Sequence, residues 1–186
     1  MNCAAAARIA IRIDRLALGN FGDCKALREG VSELRIDWGP GYRLYFGRLG
    51  RECVLLLCGG DKRKQSADIE RAIDYLKDYK EDDQAVKRKA SISHDEAMVK
   101  ELRERPEFGA EYLKAALEDA EEPSVLLLAL RRVAEARGGV AKVAKAAGIE
   151  RESLYRALSP RGNPRWSTLV AVTKAMGLRL TVELGR

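Results

Sequence analysis

The chain has 186 residues, of which 46% are hydrophobic and 33% charged, so it carries enough apolar content for a folded core and is not a disordered polymer. With 34 Lys and Arg against 28 Asp and Glu its net charge is +6, and that basic balance points toward anionic partners. Four cysteines (Cys3, Cys24, Cys53, Cys58) fall in no CxxC spacing and His94 is the single histidine, which excludes a standard zinc site and suits free thiols in a reducing compartment.

The charge is segregated along the chain. Residues 1–80 hold 15 basic and 11 acidic residues, a net of +4; residues 81–130 hold 7 and 13, a net of −6; residues 131–186 hold 12 and 4, a net of +8. A basic start, an acidic middle and a basic end predict separate modules. No apolar run approaches the ~20 residues that span a bilayer, and Arg8 and Arg12 interrupt the opening MNCAAAARIAIRI as a secretory leader. A cytoplasmic protein with no membrane contact, no metal and no cofactor is expected.

Ile9, Ile13 and Leu16 recur at helical spacing before Gly19, predicting a helix over 4–18. Residues 31–38 then alternate, with Ser32, Leu34, Ile36 and Trp38 on one face and Glu33, Arg35 and Asp37 on the other. Gly39-Pro40-Gly41 reads as a turn, and residues 42–48 alternate again, completing a hairpin. The run Cys53–Cys58 is apolar on both faces, as a central strand would be. Ile69, Ala72, Ile73 and Leu76 mark a closing amphipathic helix. This phasing predicts one apolar sheet face under the helices and one open face presenting Arg35, Arg43 and Tyr45, with Lys62, Arg63 and Lys64 just beyond. Guanidinium groups bind phosphates in a fork and an aromatic ring can stack on a base, so the open face is a candidate RNA surface.

Residues 81–92 lack periodicity and read as a linker. Ser93 with Glu96 forms a capping-box pattern that predicts a helix to about Arg105, and Pro106 starts another. His94 falls at this junction as a surface residue. Ser124 is placed to cap a helix that runs over Val125–Arg137 and stops at Gly138-Gly139. A helix-turn-helix follows at about 140–158: Ala144 is small where two helices must approach, and Gly148 permits the turn. Ile149, Leu154 and Leu158 fill its core, while Arg151, Glu152, Ser153, Tyr155 and Arg156 point outward, as major-groove reading requires. After Gly162-Asn163-Pro164 a last helix begins at Ser167 or Thr168. Leu178, Leu180, Val182 and Leu184 alternate as a terminal strand suited to a dimer interface.

The blocks GNFGDCKAL, GVSELRIDWGPGYRLYF and VLLLCGGDKRKQSADIERA, in that order over residues 8–80, resemble the HigB branch of the RelE/ParE toxin superfamily. The resemblance implies a small antiparallel sheet with helices, and either ribosome-dependent cleavage of mRNA or, in ParE-like members, gyrase poisoning. It carries Arg43 onto the arginine that contacts the scissile phosphate, with Arg35 and Arg63 near further basic positions. Glu33 stands where RelE-type enzymes have a lysine, and Asp68 or Ile69 where they have a tyrosine. Family members also carry a first strand ahead of the helix in which this sequence starts, so a truncated start is expected. Residues 93–184, with ARGGVAKVAKAAGIERESLYRALSPRGNPRWSTL and then GLRLTVEL, resemble the HigA-type antidotes, which implies an operator-binding, dimeric domain. The expected organisation is a HigB-like toxin domain (1–80), a linker (81–92) and a HigA-like antitoxin (93–186), an α+β fold followed by an all-α one. The expected function is a type II toxin–antitoxin fusion that represses its own operator. Its expected partners are operator DNA, the ribosome with mRNA, and a second copy through the C-terminal half. A regulator with a vestigial toxin half, or a ParE-like gyrase inhibitor, is the alternative.

Overall fold

The computed structural model describes residues 2–50, 53–82, 93–119 and 122–181. The chain divides into two compact units, one formed by Met1 and residues 9–91, the other by residues 2–8 and 92–186.

The first unit is α+β. Helix α1 (Cys3–Ala17) leads into a four-stranded antiparallel sheet of β1 (Cys24–Ala26), β2 (Val31–Ile36), β3 (Tyr42–Leu49) and β4 (Cys53–Asp61), in the order β1-β2-β3-β4. A 3-10 turn (Lys62–Lys64) then feeds α2 (Gln65–Asp82). The hairpin forms where alternation and the Gly-Pro-Gly turn place it, with Glu33 opposite Tyr45 and Arg35 opposite Arg43.

Two expectations need correction. The run Cys53–Cys58 is an edge strand, not a central one, because β4 pairs with β3 alone. Its unbroken apolar character comes from a bulge instead. Tyr45 faces Cys58 while Phe46 faces Leu56, so the intervening Leu57 is unpaired, and both Leu57 and Cys58 pack on one side. The second correction concerns the open face. Leu16, Leu34 and Phe46 form one core cluster, on the α1 side of the sheet. Val31 and Tyr45 form another with Ala72, Ile73 and Leu76 of α2, on the opposite side. The face carrying Glu33, Arg35, Arg43 and Tyr45 is therefore partly roofed by α2, and Tyr45 is fully buried. Gly47 makes this packing possible, since a Cβ there would come within 2.7 Å of the Leu76 side chain.

The second unit is helical over its described residues. It contains α3 (His94–Glu104), α4 (Pro106–Glu118), α5 (Pro123–Ala136), α6 (Val140–Ala147), α7 (Arg151–Ala157) and α8 (Trp166–Ala175). Ser93 and Glu96 make both halves of the capping box, and His94 is exposed as the first residue of α3. Buried Arg132 of α5 ties this layer together. It donates to Asp95 at the start of α3 at 2.7 Å and to the Tyr112 hydroxyl of α4 at 2.9 Å. Helix α5 begins at Pro123, and the Ser124 hydroxyl bonds to the Glu122 carboxylate instead of capping the backbone. Helix α8 begins at Trp166, one residue before the expected start. Residues 178–181 adopt no strand, and Val182 and Leu184 of the expected terminal strand lie outside the described residues, as do 83–92 of the expected linker. No helix of the described residues is long and apolar enough to cross a membrane.

Candidate nucleic-acid interfaces

The first candidate lies on the α2 side of the sheet. Because strand residues two apart share a face, Glu33 and Arg35 of β2 meet Arg43 and Tyr45 of β3 across the ladder. Two arginines directly opposite one another repel, and Glu33 between them supplies the counter-charge. It is 0% exposed, with Oε2 accepting from Arg35 Nε at 3.1 Å. Its Oε1 accepts from Gln65 Nε2 at 2.8 Å and from the Tyr45 hydroxyl at 3.3 Å, and lies 3.5 Å from Arg43 Nε in an ion pair. The side chains of Arg35 and Arg43 are 39% and 12% exposed, respectively. The hydrogen bond that Arg35 donates to Glu33 holds the Arg35 pKa above its ordinary value. Burial first, and then the Glu33 charge, pushes the Tyr45 phenol well up. Tyr45 is thus a neutral buried donor to a carboxylate, not a ring presented to a base.

Next to this cluster Asp68 of α2 is buried. Its Oδ1 accepts from Arg71 at 2.6 Å, and its Oδ2 has no hydrogen-bond partner. Gly60 accommodates it, because a Cβ there would sit 2.1 Å from Oδ2. Arg63 is exposed beyond β4 and gripped by Asp61, whose two oxygens accept from its backbone N–H, Nε and Nη2. That pairing lowers the Asp61 pKa and raises that of Arg63. Lys62 and Lys64 are exposed in the same turn. The structure thus gathers Arg35, Arg43 and Tyr45 around Glu33. Gln65 and Arg71 join them without having been singled out from sequence, and Asp68, read only as one of two residues standing where a tyrosine is expected, lies beside them.

The second candidate is the α6–α7 pair. Gly148 ends α6 in the left-handed conformation (φ 68°), and the Ile149 N–H returns to the Ala144 carbonyl at 2.9 Å, which turns the chain sharply into α7. Leu154 and Leu158 are buried and fix the roll of α7, so Arg151, Glu152 and Arg156 are exposed and Ser153 and Tyr155 half-buried. Glu150, unremarked in the sequence, caps the helix: its carboxylate accepts from the backbone N–H groups of Glu152 (3.0 Å) and Ser153 (2.7 Å), and these bonds lower its pKa. Arg151 lies over the Tyr155 ring, 5.6 Å from its centroid, and Arg156 Nη2 reaches the Ser153 hydroxyl at 3.5 Å. Gly162 is required behind the helix, because a Cβ would come 2.0 Å from the Ala157 carbonyl oxygen.

Comparison with known proteins adds a family to this geometry. An uncharacterized protein of Haemophilus influenzae is 52% identical over 71 residues, which span 38% of this chain and 72% of that protein. A second uncharacterized protein of the same organism is 40% identical over 75 residues, spanning 40% of this chain and 75% of the relative. No solved structure matches. A family described as probable addiction module antidote protein matches residues 94–184, which include α3 through α8. That match supports a toxin–antitoxin module through its antitoxin part.

Proposed function

We propose that the chain is a type II toxin–antitoxin fusion in toxin-first order, whose residues 93–186 bind operator DNA and repress its own expression. The observation that carries this reading is the Gly148 turn and the α7 residues Arg151, Glu152 and Arg156, exposed beside half-buried Ser153 and Tyr155, lying inside the matched antidote region. Arginine pairs with guanine edges or phosphates, and short polar side chains position the backbone. One seven-residue recognition helix has little contact area, so two copies reading two half-sites supply the affinity. Titrating the full chain against duplex DNA from its own upstream region tests this. Tight, salt-dependent binding that falls in Arg151→Ala and Arg156→Ala is expected, and binding no tighter than to random duplex would refute it.

In the same reading, residues 1–80 are a HigB-like ribosome-dependent endoribonuclease that uses Arg35, Arg43 and Arg63 on the RNA phosphates, with Lys62 and Lys64 holding the strand. Joining toxin and antidote in one chain keeps the neutralising half at high effective concentration. A second reading, a regulator with an inactive toxin half, draws support from the near-burial of Arg43 and the full burial of Tyr45. Cell-free translation with mRNA ends mapped separates the two: new cleavage ends that vanish in Arg43→Ala mark a live nuclease.

A further inference from the structure

The sheet cluster contains one group that neither a nuclease nor a solvated surface calls for: a carboxylate with no exposure between two arginines. A general base needs a free lone pair and access to the proton it takes. Glu33 has neither. Both of its oxygens are occupied by donors from Arg35, Tyr45 and Gln65, and Arg43 closes the remaining side. The contacts to the arginines have a common geometry. Each guanidinium meets Glu33 through Nε. The Nε of Arg43 is buried and has no hydrogen-bond partner, so the Glu33 charge is what holds it. The terminal nitrogens of Arg43 make no hydrogen bond to the chain among the described residues, and the Arg35 Nη1 reaches Asp23 only at 3.9 Å. Nη groups held from behind at Nε are the forked donors that a phosphodiester oxygen accepts.

We propose that Glu33 is the positioning residue of an RNA phosphate site, anchoring Arg35 and Arg43 by their Nε edges so that their Nη groups face one phosphodiester. This rests on the reading of the sheet domain as an RNA-binding toxin fold and adds the group that sets its geometry. Glu33 acts only through the two arginines and takes no proton. Preorganisation of this kind removes the cost of ordering two long side chains when the ligand arrives. It also explains how like charges are tolerated at directly opposed positions of β2 and β3.

The test uses the full chain with 15N-labelled arginine, a short single-stranded RNA as probe, and the Nε–Hε resonances of Arg35 and Arg43 as a local readout. In the wild type both resonances shift on titration with RNA. Glu33→Ala should weaken this binding about tenfold, the effect of losing charge-assisted hydrogen bonds, and broaden both signals by exchange. Glu33→Gln is the more selective variant. Its carbonyl can still accept from Gln65 and Tyr45 beside Arg43, but its amide sets a donor against Arg35 Nε. The Arg43 signal should survive while that of Arg35 is lost, with an intermediate affinity, and this pattern carries the test if Glu33→Ala does not fold. Ile73→Val, a core change beneath α2, should lower the thermal midpoint and leave RNA affinity alone. Wild-type affinity in Glu33→Ala, equal losses in Ile73→Val and Glu33→Ala, or equal effects on both arginine signals in Glu33→Gln would each overturn the inference. Unchanged binding in Arg43→Ala would instead remove the RNA reading beneath it.

Discussion

Arg43 and Arg151 are both proposed to contact phosphates or bases, yet their surroundings differ in kind. Arg43 is almost enclosed and lies beside a buried carboxylate, and other arginines of the same unit also have acidic partners: Arg35 with Glu33, Arg63 with Asp61, Arg71 with Asp68. Arg151 and Arg156 are exposed on a short helix, the Arg151 guanidinium over the Tyr155 ring and that of Arg156 reaching the Ser153 hydroxyl. Arginines fixed by carboxylates suit a site where one phosphate must be held in one geometry. Arginines left in water suit binding driven by counter-ion release along a duplex, where positioning follows encounter. The same residue type therefore contributes to stability in one unit and mainly to binding in the other.

The sharpest way to break this comparison is to remove one charged group from each region and measure stability. Glu33→Ala leaves two arginines facing each other without their counter-charge, and should cost the first unit about 3 kcal/mol, the scale for breaking a buried ion pair. Arg156→Ala should stay within about 0.5 kcal/mol, as surface changes do. Urea denaturation of both variants checks the pair of values, and comparable losses would erase the distinction.

Binding should reverse the order. Arg151→Ala and Arg156→Ala are each expected to cost about 1–3 kcal/mol in DNA affinity. Where the lost contact is to a phosphate, the slope of log K against log salt should also fall by about one. Glu33→Ala should leave DNA affinity unchanged at temperatures where the protein remains folded. Anisotropy titrations at several salt concentrations read both quantities.

Why the second region was legible in the sequence and the first only in part follows from where their signals lie. The capping box at Ser93, the helix start at Pro106 and the turn at Gly148 are local: each is a backbone requirement met within a few residues, and each forms as expected. Alternation in β2 and β3 is equally local and correctly sorts residues onto two faces. It does not say what covers a face. The apolar stripe of α2 reveals a helix, but its docking over Tyr45 depends on Gly47 admitting Leu76, a contact 29 positions apart in the chain. Glu33 read as a solvent-facing charge because burial of a carboxylate is visible only once Arg35, Arg43 and Gln65 surround it. Cys53–Cys58 looked central because a bulge at Leu57 mimics burial on both faces, and β1 is too short to show any period.

A smaller effect should come from the backbone turn that aims α7. Gly148→Ala places a Cβ in the left-handed region, and although nothing crowds the position, the conformation itself costs about 1–2 kcal/mol. The loss should appear both in thermal stability of the second unit and in DNA affinity, because the turn sets the direction of α7, the proposed recognition helix. Gly162→Ala, which meets the Ala157 carbonyl, should be worse for stability. A Gly148→Ala variant with wild-type DNA binding would show that α7 is aimed by its core contacts at Leu154 and Leu158 alone.

The finest distinction between the regions is one of pH. Glu150 is the exposed counterpart of Glu33: it accepts two hydrogen bonds, from backbone N–H groups at the start of α7, and these lower its pKa below the ordinary value of about 4.3. A depressed carboxylate pKa means that the cap contributes fully above the unfolded value and is lost as pH falls through the lower, folded value. Acidification through the depressed value should therefore loosen the first turn of α7, seen as shifts of the Glu152 and Ser153 amide signals with a midpoint below that of uncapped glutamates. At neutral pH, Glu150→Gln keeps an acceptor and removes a negative charge beside the proposed DNA contacts, so it should tighten duplex binding slightly while leaving the helix start intact. Weaker binding in Glu150→Gln would mean that the charge orders Arg156, whose field it shares. The recognition helix would then rely, like the sheet site, on a carboxylate to place its arginine.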